Sequence, residues 1–193
     1  MATGDFTFGN RLSRSRGARE SQQEEPEAQL PEVTFESACR NDRVVYRLLD
    51  KGILTEEDVR SSYAEWVAER ENGVRVPLWR MLTLAVGMDT ESIFYEASRV
   101  YAFEPAELDE KAILEFLEEN RDSFDEASWD GMLELFLIPI SLDTEPLSGE
   151  PRWTFATHDP TRPEIHQLLK RMDIRRFEVK YCAEQALAGL VTE

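Results

Sequence analysis

The stretch Leu48-Leu-Asp-Lys-Gly-Ile-Leu-Thr-Glu-Glu-Asp-Val59 reads as the end of one helix, a glycine elbow and the start of a second helix. A glycine just past a helix takes positive φ without the penalty that a Cβ brings. Thr55 is then placed to cap the next helix through its side-chain oxygen, and acids in the first turn suit the macrodipole. Thr55-x-x-Asp58 is close to a capping box, with Asp where Glu or Gln is usual. The pattern returns at Leu84-Ala-Val-Gly-Met-Asp-Thr-Glu-Ser-Ile-Phe94, with Asp89 as the expected cap. The glycines lie 35 residues apart (87 − 52), so the spacing predicts a duplicated helix-turn-helix module with two-residue elbows.

Working outward, apolar residues recur at helical spacing. Val44, Val45, Leu48 and Leu49 form one face, and Val59, Tyr63, Trp66 and Val67 a second that ends near Glu71-Asn-Gly73. Leu78, Met81, Leu82 and Ala85 form a third, and Ile93, Phe94, Ala97 and Tyr101 a fourth. Glu104-Pro-Ala-Glu-Leu108 turns into a further helix carrying Ile113, Leu114 and Leu117, and Phe124 to Trp129 reads as a connector with one helical turn. After Gly131 the texture changes. Leu135 to Leu142 is dense enough for a buried strand, Thr144 to Gly149 is rich in turn formers, and Arg152 to Thr157 alternates with period two. Asp159-Pro-Thr-Arg-Pro-Glu164 starts a helix with Pro163 in its first turn, followed by a strand at Arg176–Tyr181 and a helix from Ala183 to Leu190.

The expected fold is therefore α+β. A helical subdomain at 37–130 precedes a β-β-α-β-α subdomain at 131–193, and residues 1–36 form a disordered tail. That tail has too few apolar residues to offset the entropy of ordering. It carries the basic cluster Arg11, Arg14, Arg16 and Arg19, and Phe6 and Phe8 read either as a short docking peptide or as part of an unstructured leader.

The 193 residues suffice for a real core, and 41% hydrophobic content fits a globular protein. A formal net charge of −17 argues against binding to a nucleic-acid backbone. No apolar run approaches the roughly 20 residues that span a bilayer. Met1-Ala-Thr-Gly-Asp-Phe6 lacks the apolar core of a secretory signal, so a cytoplasmic location without membrane insertion is expected. Cys39 and Cys182 have no metal-ligand spacing and are expected to be reduced, Cys182 as apolar filler. Twelve acids stand against Lys111 and Arg121 between Glu104 and Glu134, either as a solvated face or as a docking face for a basic partner.

These residues together resemble the N-terminal region of the assembly ATPases of type II secretion and type IV pili (the general secretory pathway protein E type). That region carries a tandem pattern Arg-Leu-Gly-x2-Leu-x3-Gly-x-Ile-x4-Leu-x2-Ala-Leu-x2-Gln. The first copy here matches at Arg43, Leu48, Gly52, Leu54 and Val59, and departs at Val45, Ser62, Tyr63 and Trp66. The second matches at Leu78, Leu82, Gly87, Phe94 and Ala97, with one extra residue between Leu82 and Gly87, and has Trp79 at its early glycine. Leu137-Ile-Pro-Ile140, Trp153 to Pro160 and Leu168 to Val179 resemble the family's strand, Asp-Pro turn, helix and strand. The resemblance implies a bacterial docking or regulatory module whose partner is a component of a secretion or pilus machine, or its ATPase. No Gly-x4-Gly-Lys-Ser/Thr loop is present to cradle a triphosphate, so this module is expected without the motor.

Some relatives bind cyclic di-GMP on the tandem pattern. The resemblance makes Arg43, Leu48, Gly52, Leu78, Leu82 and Gly87 the positions for that ligand, with arginine and backbone groups on the phosphates and leucines on the bases. Val45 and Trp79, in place of glycine, oppose a close approach. No other cofactor and no metal is expected. His158 and His166 flank Asp159, which reads either as an acid–base pair or as a strand-to-helix turn. No serine elbow or His-Glu-x-x-His is present, so no enzymatic activity is expected.

Overall fold

The computed structural model describes residues 33–146 and 149–191. Of the tail expected over residues 1–36, residues 1–32, with the basic cluster and Phe6 and Phe8, lie outside them, whereas Phe35 and Glu36 already belong to the first helix, capped by Thr34. The described chain is α+β, in the order α1 (Phe35–Asn41), α2 (Arg43–Asp50), α3 (Glu56–Glu71), α4 (Leu78–Leu82), α5 (Thr90–Val100), α6 (Glu110–Glu119), a 3-10 turn (Arg121–Ser123), α7 (Glu126–Glu134), β1 (Ile138–Thr144), β2 (Pro151–Thr157), α8 (Pro163–Arg171), β3 (Phe177–Tyr181) and α9 (Glu184–Val191).

The first elbow forms as the residues require. Gly52 takes φ +67°, its N–H bonds the carbonyl of Leu49, and the Ile53 N–H bonds that of Leu48. This pair of bonds satisfies the orphan carbonyls at a helix end. No atom lies within 4 Å of a Cβ built on Gly52, so conformation, not space, selects glycine. The link runs from Lys51 to Thr55, longer than two residues, and the capping box of Thr55 and Asp58 is complete.

The second copy is built differently. α4 stops at Leu82, and Gly87 sits well past its end, at φ +85° in a turn that leads to Asp89. Asp89 caps α5 by accepting from the Ser92 N–H. The apolar spacing of Leu78, Met81, Leu82 and Ala85 is helical in sequence, yet Ala85 lies in the turn.

One carboxylate joins the two copies. Asp42 Oδ1 accepts from the N–H groups of Val44 (3.0 Å) and Val45 (3.2 Å) at the start of α2. Its Oδ2 accepts from the Trp79 N–H (3.0 Å) at the start of α4. A five-residue helix with no side-chain cap of its own thus borrows the cap of its neighbour. Around this point Val45, Leu48, Val59, Leu78, Trp79, Leu82 and Ile93 form one buried core.

α6 and α7 pack on the sheet. Strand order is β1-β2-β3, with β1 antiparallel to β2 and β3 parallel to it through the crossover helix α8. Trp153 and Phe155 on one sheet face join Met132, Ile165, Leu168 and Leu169. Ile138 and Ala156 on the other join Ile113, Cys182, Leu187 and Leu190. The segment Phe124–Trp129, expected as a connector, instead leads into α7, capped by Asp125 on the Ser128 N–H. Gly131 does not break that helix. A Cβ there would stand 2.9 Å from Leu168 Cδ1, so glycine lets α7 approach α8. In consequence β1 begins at Ile138, and Leu135 ends a helix.

Asp42→Ala removes the acceptor at two helix starts and is expected to cost about 2 kcal/mol, with Asp42→Asn recovering only part of that because its single amide oxygen serves one of the two starts. Urea unfolding of both variants at unchanged m-value checks this.

Candidate functional site

Of the six positions implied for a cyclic dinucleotide, three lie inside the helical core and three at the surface. Leu48, Leu78 and Leu82 are buried in the helical core, while Arg43, Gly52 and Gly87 are exposed. Val45 and Trp79, in the two early glycine positions, are buried as well. Where the starts of α2 and α4 converge, the anion already present is the carboxylate of Asp42.

Instead, the structure centres its polar chemistry on the junction between α4–α5 and the β2–α8 turn. Asp159 is completely buried. Its carboxylate accepts from both Arg80 Nη atoms (2.7 and 3.2 Å), from the Thr161 N–H (3.2 Å) and from the Thr161 hydroxyl, and Arg162 Nε lies 3.4 Å away. The expected local turn at Asp159 is therefore present, with a fork from another helix added to it. Arg80 also bonds Thr161 Oγ1, and its Cζ lies 4.8 Å from the centre of the Trp79 ring. A bidentate, desolvated arginine–carboxylate pair has a geometry that lysine cannot copy.

Beside this pair lies a cavity of about 500 Å³, lined among others by Arg75, Trp79, Tyr101, Phe103, Pro160 and His166. Its walls suit a flat or aliphatic group, with Arg75 the cation not held by Asp159. The indole Nε1 of Trp79 is buried without a hydrogen-bond partner among the described residues. His158 is buried between the rings of Phe94 (5.2 Å) and Phe136 (5.4 Å), both nearly perpendicular to it. Burial holds its imidazole below the ordinary 6.5; Glu184 and Asp159 oppose that shift and Arg162 adds to it. His166 is exposed and lies against Phe177.

Two further groups are structural. Glu96 of α5, 2% exposed, is covered by Arg47 and Lys51, which themselves face solvent. Burial alone would raise its carboxyl, but hydrogen bonds from Lys51 and Arg47 bring it below the usual 4.5. Burial pushes the Cys182 thiol up to about 12, as apolar filler requires.

The surface divides into two characters. All twelve acids from Glu104 to Glu134 are exposed, and Asp109 and Asp125 also cap α6 and α7. Glu104, Glu107, Asp109, Asp143 and Glu178, with Lys180, rim a groove of about 800 Å³ over the sheet. By contrast, the turn after α4 puts Leu84 (73% exposed) and Val86 (wholly exposed) into water.

Among the described residues no group of three or more His, Cys, Asp or Glu side chains is placed to hold a metal, and no helix is long and apolar enough to cross a membrane. Arg80 escaped sequence reading because its partner is 79 positions away. The exposed Leu84 and Val86 stand in the sequence only as part of the second elbow, with nothing to mark them as surface residues.

No protein-family model matches the chain, and no curated protein matches it. Among solved structures it is weakly similar to the one described as "Structure of MshE with cdg", with a TM-score of 0.45 and 16% identity over 76% of this chain and 94% of that one.

Removing either member of the Arg80–Asp159 pair strands a buried charge. Asp159→Ala is expected to cost about 3 kcal/mol, and Arg80→Lys is not expected to restore the fork. A depressed carboxylate contributes stability that is present above its unfolded value and lost as pH falls through the folded one. Glu96→Gln is therefore expected to lower stability at pH 7 by about 2 kcal/mol and to flatten its decline below about pH 4.5. Denaturant unfolding from pH 3 to 7 measures both effects.

Proposed function

We propose that the chain is a non-catalytic docking and regulatory module that works in the cytoplasm through protein–protein contacts. The observation that carries this reading is the turn at Leu84–Gly87. Two large aliphatic side chains, Leu84 and Val86, stand in water on this loop. Exposed apolar area costs about 25 cal/mol per Å² relative to burial, and contiguous apolar exposure marks contact surfaces. The partner is a component of a secretion or type IV pilus machine, or its ATPase. That assignment is supported by the tandem pattern in the sequence.

The competing reading is a cyclic di-GMP receptor; the neighbouring structure of MshE was itself determined with cdg. The burial of Leu48, Leu78 and Leu82 and the presence of Val45 and Trp79 weigh against that reading in this chain.

Two measurements separate them. A pull-down with the full chain should recover a secretion, pilus or motility component, and Leu84→Ser with Val86→Ser should abolish recovery while the chain stays folded. Retention by the double variant sinks the docking role of this turn. Calorimetric titration with cyclic di-GMP should give no binding heat. Saturable heat that disappears in Arg43→Ala would favour the receptor instead.

A further inference from the structure

We propose that His158 is an acid-sensitive latch, fastening α5 to the sheet-bearing half of the molecule while neutral and releasing it when protonated. The imidazole follows β2 and is one point at which rings from both halves meet: Phe94 reaches it from α5, and Phe136 from the turn between α7 and β1. Phe136 is held at φ +48°, an uncommon conformation for a bulky residue, so its ring is placed there by the surrounding structure and not by local preference.

His158 Nδ1 is buried with no hydrogen-bond partner among the described residues. A neutral imidazole tolerates that on its acceptor nitrogen at modest cost. An imidazolium carries a donor on both nitrogens and needs a partner for each. The charges acting on the ring are Glu184 of α9, the adjacent Asp159 and Arg162 at the start of α8, while α5 and the α7 turn bring rings. Asp159 is the nearest carboxylate in sequence, but Arg80, Arg162 and Thr161 already hold it.

A proton taken from solvent is therefore best accommodated when the ring swings out to water, which undoes the Phe94 contact. Burial disfavours the charged form in the folded state. The unfolded or released ring titrates near 6.5, so latch stability is complete above that pH and declines below it. α4 is fastened separately, by the fork of Arg80 on Asp159 and Thr161, so loss of the Phe94 contact bears on α5. Phe94 and the neighbouring Tyr95–Tyr181 contact of α5 with β3 are what the release would expose.

Hydrogen exchange by mass spectrometry on the full chain, at pH 7.5 and 5.5 and corrected for intrinsic rates, tests the latch. Between pH 7.5 and 5.5 the opening constant is expected to rise, by at most about tenfold. That rise is expected in peptides covering 90–101 and 133–138, without a matching rise in β2 and β3, and it should vanish in His158→Phe. An equal rise everywhere, no rise in the wild type, or a rise that persists in the variant overturns the proposal. Should His158→Phe fail to fold, wild-type NMR decides. His158 must titrate below 6.5 with α5 amide shifts following the same curve. An ordinary titration with α5 amides unmoved overturns the latch.

Discussion

The pairing of Arg80 with Asp159 is the constraint on which the rest of the structure depends. The helices from α1 to α5 have one core, and the sheet with α6 to α9 has its own on each face. Neither core includes the other, so polar and aromatic contacts fix their relation. Arg80 supplies the strongest of these. It satisfies a buried carboxylate that otherwise would carry an uncompensated charge, and the same carboxylate shapes the turn that launches α8. A buried ion pair gains little over an apolar substitute, but losing one member is costly, so the two halves are tied by the penalty of separation.

A second layer of contacts works along the same seam. The backbone at Glu104–Ala106 bonds Tyr181 at the end of β3, with the Tyr181 N–H on the Glu104 carbonyl (2.8 Å) and the Ala106 N–H on the Tyr181 carbonyl (2.7 Å). His158 meets Phe94, and Tyr95 meets Tyr181. These contacts are aromatic or backbone in kind and carry little charge. The twelve acids from Glu104 to Glu134, by contrast, have their side chains exposed to water, where repulsion is screened.

The duplicated pattern has two different outcomes. In the first copy a full helix ends in a left-handed glycine, and its apolar face is spent on the core. In the second, α4 is short, shares a cap with α2 and releases an apolar turn to solvent. The same helix-ending geometry as at Gly52 recurs after α3 at Gly73, and after α5, α7 and α8 at Ala102, Phe136 and Asp173. Only the glycine positions announce it. At the other three the bond pair and the packing that follows hold a side chain in a conformation it would not choose alone. The positions implied for a ligand divide similarly, with leucines drawn inward and glycines left outside. For this reason the apolar turn, and not the tandem pattern itself, carries the functional reading.

What the sequence by itself determined was local: the helical faces from Val44 to Tyr101, the Thr55 and Asp89 caps, the β-β-α-β-α order, and the Asp159 turn. Each depends on residues within a few positions of one another, where periodicity and side-chain hydrogen bonding act directly. It failed at α7, expected as a connector, where the helix runs through Gly131 and packs that residue against Leu168 of another helix. It also failed at the length of α4, whose start is held by Asp42 from the first copy. Only the tertiary structure decided that Arg80 serves Asp159, that His158 stands between two phenylalanines, and that Leu84 and Val86 face water while Leu78 and Leu82 do not. Those outcomes depend on which surfaces meet after the chain has folded back on itself, and pairwise burial over such separations leaves no periodic trace in the order of residues.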